Sequence, residues 1–241
     1  MPAKNDVSDW AEREACRIGK ARALLRPACA GLRPAVEGAG GDWADLGCGD
    51  GIFTSALYTL LQPGSQLYAV DRDRRALEAL VRNFAESFPE AALHPLLADF
   101  TRPLSLPALD GLVMANSLHF VSQKKPVLAR LVSLLKSGGR LIVVEYNTVQ
   151  GNCAVPYPLD EASFLTLARD VGLRQVCIVA KIPSSFLGEM YAGMGLAASD
   201  VWCADISPCS SYDARTCCAG SSEGEIGPLG VKVPLVGPEK L

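Results

Sequence analysis

"WADLGCGDGIF", residues 43–53, sets three glycines, two aspartates and a cysteine between an apolar lead-in and the apolar start of a helix. An apolar strand that runs into closely spaced glycines and out into a helix is the pattern of the first strand-to-helix turn of a parallel α/β sheet. Glycine reaches backbone conformations closed to other residues and lets a ligand approach the main chain. The helix that follows, expected over about 51–61, offers unpaired N–H groups and a partial positive charge to a ligand carboxylate.

The ligand is narrowed by elimination. A P-loop needs lysine and then serine or threonine after its glycines, whereas Gly51 is followed by Ile52, Phe53 and Thr54. A dinucleotide fingerprint needs a third glycine at 52, where isoleucine stands. Asp45 and Asp50 flank the turn, and their charge repels a pyrophosphate but suits an ammonium or sulfonium group.

Outward from the turn, short apolar strands alternate with amphipathic helices, which predicts an α/β fold with a mainly parallel sheet. The strands are expected at 43–47, 66–71, 93–99, 110–117, 140–146 and 174–183, with 187–195 returning antiparallel as the seventh. Leu77, Leu80, Val81 and Phe84 form a helical stripe opened by Asp73 as N-cap. Val127, Leu131, Leu134 and Leu135 form another, closed by Gly138 as a left-handed C-cap, and Phe164, Leu167, Ala168 and Val171 a third. A further helix is expected from Trp10 to Leu25, stopped by Pro27 and Gly31. The organisation is thus a helical extension at 1–37, an α/β domain at 38–197 and, where serine, cysteine, glycine and proline replace periodic sequence, an irregular tail at 198–241.

Composition narrows the function. Of 241 residues 49% are apolar and 20% charged, ordinary for a globular protein, and a net charge of −3 supplies no basic field for nucleic acid. No apolar run is long enough for a membrane span and the polar start is unlike a signal peptide, so a cytoplasmic protein is expected. Nine cysteines, an odd number, read as mostly free thiols. No C-x-x-C pair exists, and Cys217 and Cys218 are adjacent, so no metal site is expected.

"DLGCGDG" resembles the first motif of the class I S-adenosylmethionine-dependent methyltransferases, D/E-x-G-x-G-x-G, and four further segments resemble that family's later motifs in order: "AVDRD", "LLADF", "DGLVMANSLHFV" and "LLKSGGRLIVVEYN". The resemblance covers about residues 40–196 and implies a Rossmann-like, mainly parallel seven-stranded sheet, last strand antiparallel, with helices on both faces. It implies S-adenosyl-L-methionine as cofactor, held by Asp45, Gly47, Cys48 and Gly49 of the turn, by Asp71 on the ribose hydroxyls with Arg72 beside it, by Asp99 and Phe100 at the adenine, and by Asn116 near the methionine part. Cys48 is read as packing, not as a nucleophile. His119, after the fourth strand, and Tyr146, ending the fifth, are the candidate catalytic residues, and Glu145 is expected to pair with a distant cation. The loop 147–159 with Tyr157, together with Trp10 and Arg17 of the first helix, is expected to wall the acceptor pocket.

The function so implied is methyl transfer to an O, N or C atom of a small organic molecule. "NSLHF" lacks the N-P-P-aromatic pattern of enzymes that methylate planar amide or nucleobase nitrogens. Two alternatives stand beside it: an NAD(P)-dependent oxidoreductase, disfavoured by Ile52 and by the lack of a recognisable catalytic tyrosine–lysine pair, and a non-catalytic methyltransferase-like binding protein.

Overall fold

The structure is a computed structural model that describes residues 4–30 and 40–198, with side chains from residue 12 onward. The chain divides into Met1–Val201 and Trp202–Leu241, and the described residues fall in the first part. The expected tail and its four cysteines lie outside them, as does the side chain of Trp10.

Helix α1 (Lys4–Cys29) precedes β1 (Asp42–Leu46), α2 (Ile52–Tyr58), β2 (Gln66–Asp71), α3 (Arg74–Ser87), β3 (Ala92–Leu97) and β4 (Leu109–Ala115). A 3-10 turn (Leu118–Phe120) leads to α4 (Lys124–Val132), β5 (Leu135–Tyr146), α5 (Glu161–Asp170), β6 (Arg174–Ser184) and β7 (Gly188–Leu196). The seven strands lie in the order β3-β2-β1-β4-β5-β7-β6. Pairs from β3 to β5 are parallel, and β7 runs antiparallel to both β5 and β6. Strand order reverses between β1 and β4, so their carboxyl ends flank the crevice where open α/β sheets bind ligands.

Successive strand residues point to opposite faces, and the sheet is buried on both. Trp43, Leu67, Val113, Ile142 and Val144 pack with α1, α2 and α3 in one core layer; Ala44, Leu46, Leu112, Met114, Leu141 and Val143 pack with α4 and α5 in the other. Asp73 caps α3 as predicted, its carboxylate accepting from the N–H groups of Arg75 and Ala76. Pro95 is tolerated because β3 is an edge strand, where a missing backbone donor costs little.

Two expectations give way. The α4 helix ends at Val132, with Leu135 already in β5, so Gly138 caps no helix; its φ of 74° serves a bend where β5 shifts register against β4 between Leu109 and Gly111. Pro27 does not stop α1, which runs to Cys29. The carbonyls of Ala28 and Ala30 at that end accept from the Arg140 guanidinium of β5, a contact between residues far apart in sequence.

The glycines that weaken β7 as a strand have a packing reason. A Cβ at Gly193 would fall 2.2 Å from the ring of Phe164, so the missing side chain lets α5 lie directly on the sheet. Gly193→Ala is therefore expected to cost on the order of 1–3 kcal/mol in urea denaturation. Because the clash is with one ring, Gly193→Ala combined with Phe164→Leu should cost less than the sum of the two single substitutions.

Candidate active site

The turn after β1 is built from left-handed backbone: φ is 75° at Gly47, 54° at Gly49 and 92° at Gly51. The N–H groups of Gly47 and Cys48 both donate to the Val70 carbonyl, at 2.8 and 3.2 Å, which staples the turn to β2. A Cβ on Gly47 would sit 2.5 Å from the Cβ of Ser117 in the turn after β4. A Cβ on Gly49 would meet nothing within 4 Å, so there the bare backbone faces open space.

Asp71, at the end of β2, accepts the Gly49 N–H on one carboxylate oxygen and the Asp73 N–H on the other, both at 2.8 Å. Each oxygen keeps lone pairs for further donors, and a carboxylate held this way presents two acceptors to a vicinal diol. Asp99 accepts the N–H and hydroxyl of Thr101 on one oxygen, at 2.8 and 2.7 Å, and these bonds lower its pKa; its other oxygen is left for a ligand donor. Asn116 holds a φ of 52°, and its Oδ1 is a buried acceptor with no hydrogen-bond partner.

Two cavities meet at this turn. A cavity of about 280 Å³ is lined by Gly47, Gly49, Asp71, Arg72, Asp99, Phe100 and Asn116, together with Thr101, Ser117 and Phe120. A larger one of about 550 Å³ is bounded by Arg17 and Lys20 of α1, by Phe53 of α2, by Tyr146 of β5 and by Phe186 and Met190 of the β6–β7 hairpin. Gly47, Gly49 and Asn116 line both.

Asp45, Cys48 and His119 are on neither wall, contrary to expectation. Asp45 is 1% exposed, accepts the Thr54 hydroxyl at 2.7 Å on one oxygen and leaves the other unpartnered. Burial, with the nearby Asp71 charge, pushes its pKa up to about 7 despite the Thr54 bond. Cys48 supplies backbone to the turn, while burial, followed by the charges of Asp45 and Asp71, drives its thiol pKa upward, away from reactivity.

His119 is 2% exposed and held by Glu145, which accepts its backbone N–H at 3.0 Å and lies 2.6 Å from Nδ1. Glu145 thus pairs with this neighbour in the fold and not with a distant cation. The loop 147–159 also misses both cavities: Tyr157 donates its N–H to the His119 carbonyl and lies under Lys124. The sequence reading missed the hairpin that takes the loop's place, because its wall residues, Ile182 to Phe186 and Met190, carry no motif.

Residues 44–141 match a family model described as a methyltransferase domain. No curated protein matches the chain. Among solved structures, CurJ carbon methyltransferase is 20% identical over 71% of this chain and 51% of its own, with a TM-score of 0.59. Magnesium protoporphyrin IX methyltransferase from Synechocystis PCC 6803 with bound S-adenosylmethionine is 16% identical over 77% and 80%, at a TM-score of 0.54. The N-methyltransferase NodS from Bradyrhizobium japonicum WM9, in complex with S-adenosylhomocysteine, is 16% identical over 78% and 86%, at 0.54. At these identities the likeness is one of fold, and this chain spans about half the length of the CurJ chain.

Two of these neighbours hold S-adenosylmethionine or S-adenosylhomocysteine, and the smaller cavity of this chain offers polar groups that fit such a nucleoside. Asp71 keeps acceptors for a vicinal diol, Asp99 keeps an oxygen for a further donor, and Asn116 lines both cavities with its Oδ1 buried and unpartnered. Among the described residues no three His, Cys, Asp or Glu side chains cluster to hold a metal, and no helix is long and apolar enough to cross a membrane.

The raised pKa of Asp45 has a testable consequence. The group ionises near 3.8 when unfolded but holds its proton to about pH 7 in the fold, so the folded state binds the extra proton between those values. Stability therefore falls as pH rises from about 4 to about 7 and levels off above. In denaturant titrations Asp45→Asn should lose this decline, gaining on the order of 3 kcal/mol on wild type between pH 4.5 and pH 8.

Proposed function

We propose that this protein moves a methyl group from S-adenosyl-L-methionine to a small organic molecule seated in the larger cavity. The observation that carries this is the junction of the two cavities at Gly47, Gly49 and Asn116. A nucleoside in the smaller space and an acceptor in the larger one then meet at a wall without side chains at two of its three shared positions.

When bound, the cofactor supplies an electrophilic methyl on a sulfonium, and transfer is an in-line displacement. The chain's task is to orient the partners and exclude water. Asp71 accepts from the ribose hydroxyls, and Asp99 from the adenine amino group, with Phe100 and Arg72 beside them. Asn116 lines the junction between the two partners. Phe53, Phe186 and Met190 give the acceptor a dry surface.

Tyr146 is the candidate catalytic side chain on the acceptor wall. Its pKa is raised by burial and then by the Glu145 charge, so it stays a neutral phenol and donates a hydrogen bond rather than removing a proton. His119 is a positioning residue. Its ring centroid lies 6.4 Å from that of Tyr146, and with Glu145 it ties the 3-10 turn after β4 to the end of β5.

Calorimetry with S-adenosylhomocysteine tests the nucleoside site. Wild type should show saturable binding, weakened at least about a hundredfold in Asp71→Ala, which loses acceptors to two hydroxyls. Heat with NADH and none with S-adenosylhomocysteine would overturn the assignment in favour of an oxidoreductase. Tyr146→Phe is expected to slow methyl gain, followed by mass spectrometry, about tenfold or more while cofactor affinity stays within about twofold. Cofactor binding without methyl gain on any of a panel of phenols, amines and carboxylates would favour the non-catalytic alternative.

A further inference from the structure

Given the methyl-transfer reading, on which this inference rests, the larger cavity also carries information about its occupant. Arg17 and Lys20 both reach its wall from α1. They stand three residues apart on a helix, so their side chains are neighbours on one face. Ala21, Leu24, Leu25 and Ala28, which follow them, are buried in the core, which fixes that face against the domain.

The two cations are differently engaged. Both terminal nitrogens of Arg17 donate to the same oxygen of Asp50 at 3.3 Å, which anchors it to the glycine turn. Lys20 forms no ion pair with a carboxylate among the described residues. Asp50 is the one carboxylate among the described residues of this wall, which therefore carries two cations against one anion. The rest of the wall includes Phe53, Phe186, Met190 and the ring of Tyr146, with Ser184 and Ser185 among them. A net single positive charge on one wall with an aromatic and thioether surface is complementary to an amphipathic monoanion.

We propose that the acceptor is an organic acid, a carboxylate on an aromatic or alkyl body, whose carboxylate is held by Lys20 with Arg17 beside it. The charged end then lies against α1 and the body against the hairpin, which leaves the end remote from the carboxylate to approach Tyr146 and the junction. The rival occupant for the same cations is the carboxylate of the cofactor's own methionine part, and the experiment separates the two.

The full chain, saturated with S-adenosylhomocysteine, is titrated calorimetrically with two matched pairs: 4-hydroxyphenylacetate against 4-hydroxyphenylacetamide, and hexanoate against hexanamide. In at least one pair wild type should bind the acid about tenfold or more tighter than its neutral amide, the size of one charge-assisted hydrogen bond. That preference should fall below about threefold in Lys20→Gln and persist in Lys20→Arg, with S-adenosylhomocysteine affinity within about twofold of wild type in both. Lys20 is exposed, so neither substitution disturbs the core. The proposal is overturned if acid and amide bind alike, if neither acid binds, or if Lys20→Gln weakens S-adenosylhomocysteine and leaves the acid preference intact. Loss of S-adenosylhomocysteine binding by wild type itself is a separate result that removes the methyltransferase reading, and this inference with it.

Discussion

The active-site architecture depends on how closely two turns can approach at the place where strand order reverses. Gly47 follows β1 and Ser117 follows β4; the Ser117 hydroxyl donates to the Leu46 carbonyl at 2.7 Å, and a single methyl on Gly47 would collide with the Ser117 Cβ. Residues of both turns line both cavities. The same glycine lines both spaces. A bulkier residue would force the turns apart and separate the two cavities.

The acidic groups around this contact differ in how the fold satisfies them, and the difference sorts structure from function. Asp71 and Asp99 are each fixed by neighbouring donors and still have acceptor capacity facing the cavity. Asp45 and Glu145 are buried away from it, one bonded to Thr54, the other to His119. A buried carboxyl costs free energy unless it is protonated or well bonded, so the second pair serves mainly to lock the turn and the strand ends that carry the first.

Hydrophobic packing sets the walls that the motifs do not specify. The β6–β7 hairpin that lines the larger cavity is held where Gly193 lets Phe164 of α5 press on the sheet and Tyr191 buries its ring beside it, with its hydroxyl donating to the Leu159 carbonyl at 2.8 Å. Helix α1 adds Arg17, Lys20, Ala21 and Leu24 to the wall. The larger cavity thus takes walls from α1 and the hairpin that the smaller one does not share.

The seven strands, their alternation with helices, and the positions of Gly47, Gly49, Asp71 and Asp99 were legible in the sequence, since each rests on a local signal: a run of apolar residues, a turn that only glycine makes, or an acid at a strand end. Helix ends were less legible, because the Arg140 contact to Ala28 and Ala30 and the bend at Gly138 depend on partners distant in the chain. Tertiary structure alone decided that His119 meets Glu145, that Asp45 is sealed beneath the turn, and that the hairpin and not the loop 147–159 faces Arg17 and Lys20. Periodicity and turn chemistry act over a few residues and can be read from order alone, whereas these encounters follow from strand order in the sheet, which brings together side chains that no local pattern connects.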